Sequence, residues 1–356
     1  MRLGINALYL IPGGVGGTEI YLRNLLAALA AEPDDHEYLL FTNRETGPDL
    51  APAGDQRFRI CRQPIQATFR PGRLLWEQIV LPTGGCDVLL NPGFTSPWFA
   101  ACPQLTWIHD LQHKRHPEHF KFADLQAWRL LVWASARRAA GVMTLSEKSR
   151  EDIHEIYRVP LQHIYIAAPG VGEVFPSLDR KEPEPVVLCV STLHPHKGIE
   201  TLIQAFTRFR QEHPAFRLVL AGMKGFHTKQ IEAAAAAAGH VEITGWLERE
   251  QLYDLYRRAS LFVFPSTFEG FGMPILEAMA AGLPTICADA RPMSDISGDG
   301  ALHFRSGDAA HLASQMSCAL KDPDLPLRGR LRAAEFTWRH TARTVLEVAA
   351  SFHGRT

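Results

Sequence analysis

Short runs of β-branched and aromatic residues alternate with longer amphipathic stretches, twice over, and this alternation constrains the fold more than any other feature of the chain. In the first half the runs fall at 2–6, 38–42, 58–62, 88–91, 105–109, 142–146 and 164–168, with helical periodicity over 18–31, 121–138 and 147–157. In the second half, runs at 186–191, 217–221, 241–244, 261–264 and 285–288 alternate with helices near 198–212, 228–238, 248–258, 274–281 and 308–320. Strand, helix, strand in succession builds parallel sheets, so the chain is predicted to be α/β with two parallel-sheet domains. Between the two series lies Asp179-Arg-Lys-Glu-Pro-Glu-Pro185, charged, proline-rich and without core residues, and the linker is placed at about 169–185. The run Ala233 to Ala238 reads as a small-residue helix face, because alanine is the best helix former.

Composition narrows the class. The 356 residues are 46% hydrophobic and 21% charged, which suits a soluble protein of about two domains. A formal net charge of −1 excludes a global field that attracts nucleic acid or anionic lipid, so any basic contact is local. One local candidate is Arg57 to Trp76, which holds five arginines (Arg57, Arg59, Arg62, Arg70, Arg73), no acid, and the hydrophobes Phe58, Ile60, Ile65, Phe69, Leu74 and Leu75. It reads either as an interfacial membrane contact or as the solvated face of a mobile loop. The six cysteines form no C-x-x-C pair and are expected to be buried thiols in a reducing compartment. Gly4 and Asn6 break the N-terminal apolar stretch, which does not make a secretion signal, and no 18-residue uncharged run suggests a membrane span. The expected location is the cytoplasm, with peripheral contact at the inner membrane face if the basic segment is interfacial.

The chemistry concentrates between Phe264 and Pro284. Glu269 and Glu277 stand eight residues apart across a glycine-rich turn from a buried strand into a helix that opens with Pro274. Such a helix start offers free N–H groups and partial positive charge, so the amides of Phe271, Gly272 and Met273 are expected to take phosphate oxygens. Carboxylates beside a phosphate make sense when they accept hydrogen bonds from neutral hydroxyls, which a sugar and a ribose supply. Lys197, at the helix start after the 186–191 run, is the cation expected to neutralise the diphosphate. Gly245-Trp246-Leu247 is expected to present main-chain groups to a base.

In the first half, Pro12-Gly-Gly-Val-Gly-Gly17-Thr18-Glu19 follows the first strand and lets backbone approach a ligand closely. Started at Gly14, the dinucleotide pattern G-x-G-x-x-G ends on Glu19, an acid that repels pyrophosphate, which counts against a dehydrogenase. His109 ends an apolar run and precedes Asp110, which either caps the next helix or orients the imidazole. His113, His116 and His119 lie in a proline-containing loop without zinc spacing, and Asp322-Pro-Asp324 lies in a polar loop, so no metal is expected.

These segments, with Trp107-Ile-His-Asp110, Val142-Met-Thr-Leu-Ser146, Val190-Ser-Thr-Leu-His-Pro-His-Lys197-Gly198, Thr244-Gly-Trp246 and Phe336-Thr-Trp338, resemble in order and spacing the retaining GT-B glycosyltransferases, in particular glycosyltransferase family 4. The resemblance runs through nearly the whole chain and leans toward bacterial polysaccharide mannosyltransferases. It implies two Rossmann-like domains facing across a cleft: residues 1–170 on the acceptor side and 171–338 binding the nucleotide sugar, with a last helix, about 339–356, packing back on the first. It implies retaining, metal-independent transfer of a hexose, GDP-mannose favoured as donor, to a hydroxyl of a glycan or lipid-linked acceptor in cell-surface polysaccharide synthesis, with no cofactor beyond the donor. His109, Glu269 and Lys197 become the catalytic set. Gly16, Gly17, Thr192, Phe271, Gly272, Met273, Glu277, Trp246 and Leu247 become donor-binding, and Thr18 and Asp110 acceptor-side. Two departures stand out. Thr192 replaces the arginine that many relatives carry five residues before the lysine, which removes a bidentate phosphate clamp that His194 or His196 would have to replace. Asp295 stands where relatives carry a glutamate and is read as structural. The alternatives are a nucleotide-sugar epimerase, a glycogen-synthase-like enzyme and a catalytically inactive nucleotide-binding protein.

Overall fold

The computed structural model describes residues 1–81, 83–180 and 183–353, without the side chains of His119 and Ala123. In chain order the strands are β1 (Arg2–Asn6), β2 (Glu37–Thr42), β3 (Phe58–Arg62), β4 (Val88–Asn91), β5 (Gln104–Trp107), β6 (Gly141–Thr144), β7 (Ile164–Ile166), β8 (Val186–Val190), β9 (Arg217–Ala221), β10 (Val241–Gly245), β11 (Leu261–Phe264), β12 (Thr285–Ala288) and β13 (Leu302–Phe304). The helices are α1 (Gly17–Ala31), α2 (Arg70–Ile79), α3 (Gln112–Arg115), α4 (Phe122–Arg138), α5 (Glu147–Tyr157), α6 (Ile199–Glu212), α7 (Thr228–Ala238), α8 (Arg249–Arg258), α9 (Met273–Ala280), α10 (Met293–Ser297), α11 (Ala309–Lys321), α12 (Leu325–Ala333) and α13 (Trp338–Phe352).

The chain forms two compact units, Met1–Gly170 with the segment from Thr337 on, and Val171–Phe336. Each is built on a parallel sheet: seven strands in the order β3-β2-β1-β4-β5-β6-β7, and six in the order β10-β9-β8-β11-β12-β13. Strands buried on both faces read as continuous apolar runs, and Leu261-Phe-Val-Phe264 and Val186-Val-Leu-Cys189 are such runs. In the second unit α6 lays Leu202, Phe206 and Phe209 on Val187, Leu218 and Leu220, each worth about 1.5–3 kcal/mol of burial. Phe175 and Leu178 are also buried in that unit, where Phe175 meets Tyr256 edge to face at 5.2 Å, and Arg180 donates to the carbonyls of Gly282 and Ala259. The predicted linker therefore overlaps residues that belong to a packed unit; its Lys181 and Glu182 lie outside the described residues.

The first unit is closed by the last helix. The α13 ring of Trp338 meets Tyr21 of α1 at 5.3 Å, and Arg343 Nε donates to Glu32 Oε2 at 2.9 Å. Gly170 carries no side chain because a Cβ there would strike the backbone at Thr337–Trp338.

Several elements were not expected. The segment around 70–79, read either as an interfacial contact or as the face of a mobile loop and assigned no helix, is α2, and it is inverted: Arg73, Glu77 and Gln78 are buried while Phe69, Leu75, Ile79 and Val80 are exposed. Its inward face meets a polar interior. Glu77 accepts hydrogen bonds from Asn6, Thr95 and Gln78 side chains, Asn6 Nδ2 donates to Asn91 Oδ1 at 3.1 Å, and Asn91 Nδ2 donates to Gln104 Oε1 at 3.2 Å. Burial pushes the Glu77 carboxyl up and the Arg73 guanidinium down. This corrects the basic segment: Arg73 faces inward, and Arg57 is spent on Asp55, Asp34 and the carbonyls of Ala30 and Glu32. Short β13, α10 and α12 had no clear periodicity. The thiols are also corrected: all six are unpaired, Cys102, Cys189 and Cys287 are buried, Cys61 and Cys86 are half-buried, and Cys318 is exposed. No described helix is long and apolar enough to cross a membrane.

Candidate active site

In the second sheet the strand order reverses between β8 and β11, and a parallel sheet opens a crevice at the carboxyl ends of such a pair. The loops leaving these two strands are laced together. His196 O accepts from Thr267 N at 2.8 Å and Thr267 Oγ1 at 3.0 Å, and Gly198, at φ 66°, passes so close to Pro265 O that any Cβ would strike it. The lacing sets Lys197 Nζ 2.6 Å from Glu269 Oε1, with both side chains 14% exposed. Two residues 72 apart in sequence thus form one charged pair at the switch point.

The turn into α9 needs Gly272, whose φ of 106° suits no residue with a side chain, and Pro274 sits in the first helical turn, where a missing N–H costs nothing. Phe271 is buried against Phe336 at 5.8 Å, so its side chain serves the core and only its backbone remains for a ligand. No side chain caps α9, which leaves the amide end of Gly272 and Met273 to an outside acceptor. Glu277, half-buried one turn on, accepts from Tyr256 Oη at 2.9 Å. Burial pushes its carboxyl up to about 7, the Tyr256 bond only partly opposing. Tyr256 was not anticipated; it comes from α8 and shares no local pattern with Glu277.

Along the same edge, Gly245 (φ 72°) ends β10 and accepts from Gly222 N at 3.0 Å, Trp246 is 57% exposed, and Leu247 is half-buried. Thr192 lies half-buried after β8, its carbonyl accepting from His194 N at 3.0 Å. His196 is buried with its ring stacked on His194 at 5.8 Å.

The first unit has its own reversal, between β1 and β4. The glycine loop follows β1. Gly16 holds φ 60° and ψ −129°, a conformation reserved for glycine, and Gly17 begins α1. Glu19, the acid that spoils the dinucleotide pattern, is used by the loop itself: Oε2 accepts from Gly13 N at 2.8 Å and Oε1 pairs with Arg23 at 2.9 Å. Thr18 Oγ1 donates to Val15 O at 2.9 Å. His109 lies two residues beyond β5, rather than ending the strand, and is buried between Tyr21 and Phe94 at 5.6 and 5.0 Å. Its Nε2 donates to Pro92 O at 2.8 Å, and burial pushes its pKa down to about 4. The ring is therefore neutral near pH 7, with Nδ1 an acceptor. Asp110 Oδ1 accepts from Gln112 N at 2.9 Å, a local turn just before α3, whose N-cap is Leu111.

Among the described residues no group of three or more His, Cys, Asp or Glu is placed to hold a metal ion. Asp322, which ends α11, accepts from Asp324 N and Leu325 N, both at 3.1 Å, and binds Arg328 at 2.8 Å. Asp295 pairs with Arg291 at 2.6 Å.

The second unit thus brings a lysine, an uncapped helix start and two carboxylates to the switch point of one parallel sheet. Residues 15–173 match the family described as Glycosyltransferase Family 4 and residues 170–336 the family Glycosyl transferases group 1. The chain belongs to these glycosyltransferases of GT-B fold. It is similar to the O-antigen chain mannosyltransferase B of Escherichia coli (26% identity, 68% of each chain) and to the glycogen synthase of Mycobacterium tuberculosis (25% identity, 95% of this chain and 91% of that one). The fold matches that of Anabaena HepE in complex with UDP-glucose, with a TM-score of 0.75 and 19% identity over 99% of this chain and all of the other.

Proposed function

We propose that this glycosyltransferase retains configuration while moving a hexose from a nucleoside-diphosphate sugar to a hydroxyl of a glycan or lipid-linked acceptor in cell-surface polysaccharide synthesis. The observation that carries the reading is the Lys197–Glu269 pair at the β8/β11 switch point, beside the α9 amides. In the second unit, the donor domain, Lys197 and those amides take the charge that builds on the leaving diphosphate. Glu269 holds a sugar hydroxyl and Glu277 the ribose hydroxyls. In the first, acceptor-side unit, neutral His109 accepts from a hydroxyl of the transferred sugar, Gly16 and Gly17 offer backbone, and Thr18 and Asp110 serve the acceptor. In this reading the leaving phosphate takes the acceptor's proton, which dispenses with a covalent nucleophile, and Lys197 with the α9 amides takes the place of a metal, so no cofactor beyond the donor is proposed. GDP-mannose is the favoured donor, supported by the Ser191-Thr-Leu-His-Pro-His-Lys197 segment and the O-antigen mannosyltransferase relative. A peripheral contact with the inner membrane face is supported by the outward apolar side of α2, the exposed Arg59 and Arg62 before it in sequence and the exposed Arg70 at its start.

A thermal-shift panel of UDP, GDP, ADP, dTDP and their sugars tests the donor, because a ligand of the native state alone raises the melting temperature. GDP and GDP-mannose are expected to respond. Release of nucleoside diphosphate that requires an acceptor supports transfer; donor conversion without acceptor points to an epimerase, and no response from any nucleotide leaves the Thr192 site disabled.

A further inference from the structure

Phe226 has an exposure that the site described so far does not use. It stands in the loop after β9, 77% exposed, yet its backbone is fixed on both sides. Leu193 N donates to Met223 O and His227 N to Leu193 O, each at 3.1 Å, so this loop is laced to the loop after β8. Gly225 has no room for a Cβ, which would meet His194 Cε1 at 2.9 Å, and Gly222, at φ 144°, is crowded by Ser191 O while its N–H holds Gly245 O at 3.0 Å. Two glycines thus press three neighbouring loops of the carboxyl edge together. The result is a phenyl ring on a rigid base, one side tilted onto the His194 imidazole at 5.2 Å and 47°. The His194 carbonyl in turn accepts from Lys197 N at 3.0 Å. The ring and the proposed phosphate cation therefore share one residue as support.

An exposed aromatic ring held this firmly offers a flat ligand a face at little entropic cost. Neighbouring strands are about 4.8 Å apart, so the loop after β9 lies one strand spacing from the Lys197 turn. A ribose bridges a comparable gap between a diphosphate and its base. We infer that the Phe226 ring, backed by His194, is the stacking surface for the nucleobase of the donor. The inference rests on the glycosyltransferase reading above and adds a side-chain contact to a base otherwise met by main chain.

Titration calorimetry of the full chain separates the two claims. Wild type, F226A and F226Y are titrated with UDP, GDP, ADP and inorganic pyrophosphate, which has no base to stack. F226A is expected to weaken the best-bound nucleotide about tenfold, within the range for losing one aromatic stack, to leave pyrophosphate within about twofold, and F226Y to restore binding. Nucleotide affinity unchanged in F226A overturns the inference, as does an equal loss of pyrophosphate binding, or a failure of F226Y to restore. Wild type that binds pyrophosphate as tightly as any nucleotide also overturns it. Wild type that binds none of the four removes the proposed donor site at Lys197 and this inference with it.

Discussion

Lys197 and Glu269, 2.6 Å apart, balance each other's charge, so the two substitutions should not behave alike. Glu269→Ala frees the ammonium and should leave nucleoside-diphosphate affinity equal or higher, while turnover falls on the order of a hundredfold, the usual loss for one transition-state contact. Lys197→Ala should weaken the same nucleotide by about tenfold or more; calorimetry beside a turnover assay reads both. Glu277 adds a pH dependence. Its carboxyl is held up at about 7 by burial, against an ordinary value of 4.5, so it ionises between about pH 6 and 8. The anion is the better acceptor for ribose hydroxyls, and nucleotide affinity should rise across that window. Stability carries the opposite sign: the raised value contributes stability fully present below 4.5 and lost as pH rises through 7. Glu277→Gln should flatten both trends. The placement of Lys197 and Glu269 at one sheet edge was legible because each sits in the loop of a local strand-loop-helix pattern. Tyr256 and Pro92, which orient Glu277 and His109, were not, since they come from elements 21 and 17 residues away without a spacing rule.

At the scale of elements, α9 depends on Gly272. Alanine there must hold φ near 106°, at a cost of about 1–2 kcal/mol, and should also turn the α9 amides off the diphosphate. Gly272→Ala is expected to lower the melting temperature and nucleotide affinity together, whereas an Ala278→Ser change deeper in α9 should touch only the former. Helix α2 makes the second prediction. Its outward residues Leu75 and Ile79 are 61% and 65% exposed, so the double change to serine should cut binding to anionic liposomes severalfold with little effect on stability. Unchanged cosedimentation would remove the membrane contact. Changing buried Arg73 should instead destabilise the fold by stranding Glu77. The helix escaped a reading from pattern because such readings assume that apolar residues face inward. Here the interior offered by Asn6, Asn91 and Gln104 is polar, and the sign of the pattern is reversed. The buried strands β8 and β11 were readable because nothing but a core accepts a four-residue apolar run of that kind.

At the scale of the molecule, the first unit is not continuous in sequence. Its α13 supplies Trp338 against Tyr21, Arg343 against Glu32, and a hydroxyl from Thr341 to Ala168 O at 2.5 Å. Truncation after Phe336 should therefore lower the melting transition of the first unit and leave that of the second nearly unchanged, which calorimetric scanning of the two transitions would resolve. A surviving first-unit transition at its original temperature would show that α13 adds nothing. The alternation of strands and helices made both sheets legible, but the return of α13 rests on side-chain pairs more than 300 positions apart, as Arg343 and Glu32 are, which periodicity cannot see. The same return bears on synthesis. A ribosome completes every strand of the first sheet early, yet the helix that seals it arrives only after the whole second unit has been translated. At roughly 5–20 residues per second, the 166 residues of Val171–Phe336 hold that partly covered sheet open for on the order of ten seconds or more. The half of the protein made first is the half finished last, and its unsealed α1 surface is where a chaperone would have time to bind.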